Sequence, residues 1–170
     1  MAANISTLED EDGEFEDWIE LYNYGTAAVN LSGFGLSDDS KQPFKWMFPN
    51  TTLQPNAYLL VWASGKNRNT TGSPLHTNFN ISSEGEELVL TAANGKPIDK
   101  LAPTPIPRNY SYGRLPNGTG AWHYYTATSP RAANGTQTST LPPVAPAFSH
   151  NSGMYASSFQ LTLFHPNPNA

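Results

Sequence analysis

Apolar and polar residues alternate along many short stretches of this chain, and the 3.6-residue repeat of an amphipathic helix does not recur. In Trp18-Ile19-Glu20-Leu21-Tyr22, Ile19 and Leu21 face one way and Trp18, Glu20 and Tyr22 the other. Val29 and Leu31 alternate in the same manner and run into the turn signal Ser32-Gly33. Phe44, Trp46 and Phe48 form an aromatic stripe of period two, stopped by Pro49. Tyr58-Leu59-Leu60-Val61-Trp62-Ala63 is apolar on both faces, which predicts a central strand covered on both sides. Leu88-Val89-Leu90 and the run containing Ile98 and Leu101 flank Asn94-Gly95, a hairpin signal whose positive φ angles suit a tight turn. Two further strands are expected around Tyr110, Tyr112, Trp122 and Tyr124.

Short strands about ten residues apart, joined by proline- and glycine-rich turns, predict an antiparallel sandwich or barrel. The fold class is all-β, and an immunoglobulin-like sandwich suits the pattern. With no cysteine pair to pin the sheets, Trp18, Trp46, Trp62 and Trp122 are expected to supply much of the core. A buried tryptophan removes about 150–250 Å² from water.

Composition narrows the function more than the fold. The absence of cysteine removes disulfides, thiolate metal sites and cysteine nucleophiles together. No apolar run reaches the length that spans a bilayer as a helix, and Met1 is not followed by a basic-then-apolar leader. A net charge of −5 argues against wrapping a nucleic-acid backbone. Charge is also unevenly placed. Eight of the fourteen acids lie between Glu9 and Glu20, and no charged Asp, Glu, Lys or Arg follows Arg131. From Ala132 to Pro146 the chain is rich in Thr, Pro and Ala with no periodic apolar face, the composition of an extended linker. The expected organisation is a sandwich over 1–134, a linker over 135–147 and a further β segment over 148–170.

An ordered series of motifs between Leu8 and Asn134 resembles the lamin tail domain family, of the kind found in bacterial secreted and surface proteins. The series comprises Asp10-Glu11-Asp12-Gly13, Asp17-Trp18-Ile19-Glu20-Leu21-Tyr22-Asn23 and Val29-Asn30-Leu31-Ser32-Gly33-Phe34. It continues through Leu36-Ser37-Asp38-Asp39, Trp46-Met47-Phe48-Pro49, Tyr58 to Lys66, Leu75-His76-Thr77-Asn78-Phe79 and Glu86 to Leu90. Tyr110-Ser111-Tyr112-Gly113-Arg114 and Ser129 to Asn134 close it. The resemblance implies an immunoglobulin-like β-sandwich without a catalytic role. Family members usually carry an apolar strand before the acidic turn, and here the chain opens at Met1-Ala2-Ala3-Asn4. Phe148 to Ala170 is similar to the start of a chitobiase/β-hexosaminidase carboxy-terminal module. Both ends thus suggest a fragment of a larger protein, and this order of modules resembles proteins that continue into a spore-coat kinase-like domain.

Candidate chemistry is sparse. Asp10, Asp12, Glu14, Glu16 and Asp17 offer oxygen ligands to calcium, but aligning Gly13 with the EF-hand glycine puts Leu8 and Ile19 at ligand positions. The plainer expectation is a solvated acidic turn. Asp38 and Asp39 are expected to shape a loop through backbone hydrogen bonds. His76, His123, His150 and His165 lack metal-ligand spacing. No Gly-x-Ser-x-Gly elbow supports a serine nucleophile, and Gly33-Phe34-Gly35-Leu36 reads as a turn rather than a dinucleotide loop. Glu86 and Glu87 are expected on opposite faces of a strand, unable to flank one glycosidic bond. Catalytic, cofactor and metal residues are therefore all expected to be none. Eight Asn-x-Ser/Thr sequons, beginning at Asn4, reflect the abundance of Asn, Ser and Thr.

The leading expectation is a non-catalytic adhesion, spacing or targeting module located outside the cell or on its surface. Its expected partners are a protein, a cell-surface polysaccharide or adjacent domains of the same polypeptide, without nucleic acid and without a membrane span. The alternative is a carbohydrate-binding module that uses Trp122, Tyr110, Tyr112, Tyr124 and Tyr125 as stacking platforms. A chromatin-binding role fits poorly with a pI near 5.2.

Overall fold

The computed structural model describes residues 1–138, 147–151 and 153–164. Residues 139–146 of the expected linker and His165 lie outside the described residues. Thirteen strands and no helix occur among the described residues. They are β1 (Trp18–Tyr22), β2 (Val29–Asn30), β3 (Gly35–Ser37), β4 (Trp46–Met47), β5 (Thr52–Leu53), β6 (Tyr58–Trp62) and β7 (Leu75–His76). Next come β8 (Leu88–Thr91), β9 (Pro97–Leu101), β10 (Ser111–Leu115), β11 (Ala121–Tyr125), β12 (Ala147–Phe148) and β13 (Leu163–Phe164).

Two sheets carry the architecture. One has the order β1-β6-β7 and the other β4-β3-β8-β9, while β2-β5, β10-β11 and β12-β13 form separate pairs. All pairings are antiparallel except β6 with β7, where Val61 and Trp62 run alongside Leu75 and His76. The arrangement is an immunoglobulin-like β-sandwich.

Alternation in β1 and β6 builds two apolar clusters back to back. Val61 belongs to the larger cluster with Leu31, Leu36, Trp46, Phe48, Leu53, Leu75 and Phe79, and Ile19 and Leu21 pack against it. Leu60 and Trp62 turn the other way and join Met1, Trp18 and Leu8. β6 is thus covered on both faces, as its sequence predicts. Trp46 and Phe48 meet edge to face with ring centroids 4.9 Å apart, a favoured aromatic geometry.

Several expectations change in detail. Phe44 is exposed, so the aromatic stripe buries only two of its three members. Trp122 is half-buried and belongs to neither cluster. The 33–36 stretch is not wholly a turn: Gly33 turns with φ +75°, but Gly35 and Leu36 enter the buried strand β3. A Cβ on Gly35 would lie 2.2 Å from the Pro43 carbonyl oxygen, so the backbones there approach too closely for a side chain. The β8–β9 hairpin forms as expected, but only Gly95 has positive φ, at +85°. The Ala92 N–H donates to Lys96 O and the Gly95 N–H to Ala92 O, so Ala93-Asn94-Gly95 makes a three-residue loop. Edge strand β9 is mostly exposed and begins with a proline, which lacks the N–H that a central strand would need.

Leu36, 2% exposed at the centre of β3, tests this core. Leu36→Ala is expected to lower stability by about 2–5 kcal/mol in urea denaturation, the range for emptying a packed site. A cost below about 1 kcal/mol would place Leu36 outside the packed interior.

Candidate functional site: a lysine-centred acidic loop

The acidic segment turns at Glu11-Asp12-Gly13 and is exposed from Glu11 to Phe15, as a solvated turn would be, but it closes on a buried Asp10. One oxygen of Asp10, Oδ1, accepts the N–H groups of Asp12 (2.9 Å) and Glu14 (3.0 Å). The Asp10 N–H donates to Glu14 O at 2.8 Å, and Gly13, with φ +79°, completes the reversal. An aspartate that binds the backbone ahead of it favours this local turn. The side chain of Asp10 is fully buried as a result.

Its second oxygen receives the ammonium of Lys66, which follows β6. Lys66 Nζ also stands 2.9 Å from Asp12, 2.6 Å from Glu14 and 3.5 Å from Glu16. Arg68 adds a second bridge, with Glu11 and Asp12 each 2.7 Å from its guanidinium. Lys66 and Arg68, both in the segment between β6 and β7, are therefore the counterions of the acidic loop. Chain geometry brings them there. Gly65 has φ +73° and donates to Phe79 O, and Asn67 has φ +53° and donates to Thr77 O.

His76 joins the network from β7. Its ring is fully buried, with Nε2 3.0 Å and 3.1 Å from the Glu11 carboxylate and Nδ1 2.8 Å from Ser64 Oγ. Trp62 stacks near it at 6.2 Å between ring centroids. Ser64, His76 and Glu11 thus reproduce the connectivity of a nucleophile, base and carboxylate. Sequence alone does not reveal this, since Glu11 and His76 are 65 residues apart. The surrounding donors do not match that chemistry. The Gly65 N–H is taken by Phe79 O, and the Lys66 N–H points back to Ser64 Oγ at 3.3 Å. The N–H groups of the two residues after Ser64 are thus engaged within the chain, and neither is free to hold an oxyanion. The arrangement orients a buried histidine and ties Ser64 to the loop.

The cation question has a similar answer. Asp10, Glu14 and Glu16 converge closely enough to share an ion, as do Asp10, Glu11 and His76. Lys66 is in salt-bridge contact with all three members of the first set, so the chain's own ammonium answers their charge.

Other residues singled out in the sequence are dispersed. Glu86 and Glu87 precede β8 instead of lying on it; Glu86 accepts the Ser82 N–H, while Glu87 accepts the Ser40 N–H and pairs with Lys100 at 2.5 Å. Asp39 caps its loop by accepting the Lys41 N–H, and Asp38 pairs with Lys45 at 2.7 Å. Trp122 lies under the Arg114 guanidinium at 4.4 Å and stacks with Tyr112 at 5.4 Å. Tyr124 and Tyr125 are buried, and the Tyr124 hydroxyl donates to Pro105 O. Asn4 is buried, its amide donating to Leu8 O and Glu16 O, so its sequon cannot present that nitrogen.

Protonation couples the network to folding. Arg68, then Lys66, hold the Asp12 carboxyl down at about 2. Burial alone would raise Asp10 and Glu11. Lys66 and backbone N–H groups outweigh it at Asp10, while a backbone bond, His76 and Arg68 do so at Glu11, so both lie below the ordinary range. Carboxyls lowered in this way stabilise the fold fully above their unfolded values of about 4, and the contribution disappears as pH falls toward 2. Asp17 and Glu20 have the opposite sign, because burial raises them and their protonation relieves a cost. Lys66 is raised by Asp10, Glu14 and Asp12 against the effect of its own burial, so it keeps its charge throughout this window.

Lys66→Met leaves the buried Asp10 without its partner and is expected to cost about 3–5 kcal/mol at pH 7 in urea denaturation. The gap to the unaltered chain should narrow between pH 4 and pH 2, as the stranded carboxyls take up protons. A gap independent of pH would sink this account of the network. Ser64→Ala leaves Nδ1 of the buried His76 without its partner and is expected to cost about 1–3 kcal/mol. The unaltered chain should resist labelling by a fluorophosphonate probe. Stoichiometric modification of Ser64 would establish it as a nucleophile instead.

The family model described as Lamin Tail Domain matches residues 4–104. No curated protein and no solved structure matches the chain. The matched span reaches past the end of β9 and stops before β10, whereas the motif series was expected to extend to Asn134. It contains both sheets, the acidic loop and the lysine that closes it, and covers more than half of the chain; the protein belongs to the lamin tail domain family, whose members are structural and interaction domains of immunoglobulin-like fold.

Proposed function

We propose that this chain is a non-catalytic interaction or spacing module of a larger protein that works outside the cell or on its surface, of the bacterial type. One observation carries the reading. The densest group of ionisable side chains among the described residues is closed on itself, with Asp10, Asp12, Glu14 and Glu16 held by Lys66 and the Ser64 hydroxyl held by a buried histidine. Groups spent on holding one another are not available for turnover.

The hairpin β12–β13 supports a second module after the sandwich. Among the described residues it pairs with no other strand, and Phe148, Met154, Leu161 and Leu163 around it are exposed. A hairpin with an uncovered apolar face needs further strands to be stable. On this reading the sandwich ends near 134, residues 135–147 link, and 148–170 open a chitobiase-like module. A spore-coat kinase-like continuation would follow from that order. The carbohydrate alternative draws no support from Trp122, whose ring is already engaged by Tyr112 and Arg114.

Immunoblotting of fractionated source cells with an antibody to the sandwich tests the proposal. The expected result is a band well above the 18.5 kDa of this chain in the medium or the cell envelope. A cytoplasmic band at 18.5 kDa would refute it.

A further inference from the structure

Asparagine followed by glycine occurs three times, at Asn94-Gly95, Asn117-Gly118 and Asn134-Gly135. In such a pair the main-chain nitrogen of the glycine can close a five-membered ring on the asparagine Cγ, because no Cβ on the glycine obstructs its approach. Ring closure needs a side chain free to turn, an amide nitrogen free to leave and a carbonyl oxygen able to take up negative charge. The fold brings these together at one of the three pairs.

Two of the asparagines are held. Asn117 Nδ2 donates to the Tyr58 hydroxyl at 2.7 Å, and its Oδ1 accepts the Asn134 N–H at 3.2 Å. A Cβ on Gly118 would lie 2.6 Å from the Tyr24 ring, so the glycine there is enclosed as well. Asn134 Nδ2 donates to Arg114 O at 2.9 Å, and its Oδ1 accepts the Ser129 hydroxyl at 3.3 Å. Each side chain would lose two hydrogen bonds on turning toward the nitrogen that follows it.

Asn94 sits at the tip of the β8–β9 hairpin, where every residue from Ala93 to Lys100 is exposed. Its Oδ1 accepts the Lys96 N–H at 3.0 Å, which orients the amide and leaves Nδ2 without an acceptor among the described residues. A backbone donor on that oxygen stabilises the charge that develops when Cγ is attacked. A Cβ on Gly95 would meet nothing within 4 Å, so the space around the attacking residue is open. The Gly95 N–H is bonded to Ala92 O at 2.8 Å, and attack waits on the opening of this bond. Opening one turn at an exposed tip is a local event that costs far less than unfolding.

We propose that Asn94 is a self-modification site, at which the folded chain converts asparagine to isoaspartate and aspartate with water as the co-reactant. Solvent base removes the Gly95 N–H proton, and the nitrogen forms a bond to Asn94 Cγ. The Cγ–Nδ2 bond breaks as Nδ2 takes up a proton and leaves as ammonia. Water then opens the succinimide ring without any change of oxidation state. Cleavage between Gly95 N and Cγ gives aspartate. Cleavage between Gly95 N and the main-chain carbonyl carbon of residue 94 gives isoaspartate, with the chain running through Cγ. That product adds a methylene to the main chain inside the three-residue loop, so the bond from the Ala92 N–H to Lys96 O no longer matches the span it closes.

The test incubates the full 170-residue chain at mildly alkaline pH and body temperature, folded and in guanidinium, and samples it over days. Electron-transfer tandem mass spectrometry locates each converted residue and separates isoaspartate from aspartate. In the folded chain Asn94 should convert at least tenfold faster than Asn117 or Asn134, and in guanidinium the three rates should converge. The isoaspartyl fraction should show at least tenfold faster hydrogen exchange at the Ala92 amide. Equal rates at the three sites of the folded chain, or an Asn94 slower than either of the others, would overturn the proposal. The same ordering and spread in guanidinium would also overturn it, since neighbours in sequence rather than the fold would then set the rates.

Discussion

A single ammonium group gathers the carboxylates of the loop between Asp10 and Glu16. Lys66 projects from the turn after β6, and the loop from Asp10 to Glu16 closes around it. Asp10 is the costly partner, because a fully buried carboxylate without a counterion would carry a desolvation penalty of several kcal/mol. The rest depends on that pair. Arg68 and His76 hold Glu11, Ser64 holds His76, and Trp62 stacks beside His76 while facing Trp18 and Met1 in the smaller core. Charge neutralisation and apolar burial thus act on opposite ends of the same few residues.

The strands were legible wherever alternation ran for four or five residues. β1, β6, β8 with β9, and β10 with β11 all lie where Trp18–Tyr22, Tyr58–Ala63, the Asn94-Gly95 turn and the late aromatics predict them. Two-residue strands such as β5 and β7 carry no periodic signal, because two positions cannot show an alternation. Phe44 and Trp122 illustrate a different limit: period two assigns a side chain to a face, but not to a depth. The polar site was legible as composition and illegible as geometry. The acids and the basic loop are each visible in the sequence, yet Asp10 and Lys66 are 56 residues apart, and only the sandwich brings them together.

The closed lysine also has a consequence for amine chemistry. Acylating reagents and cross-linkers attack the neutral amine, and Lys66 is both protonated well beyond its ordinary range and shielded by its carboxylates. Lys96 is exposed and has no acidic partner among the described residues, so acylation should reach it well before Lys66 while the loop is closed. A reagent that separates the lysines by reactivity would therefore read the integrity of this domain directly, with Lys66 as the last residue to be marked and the first to report its opening.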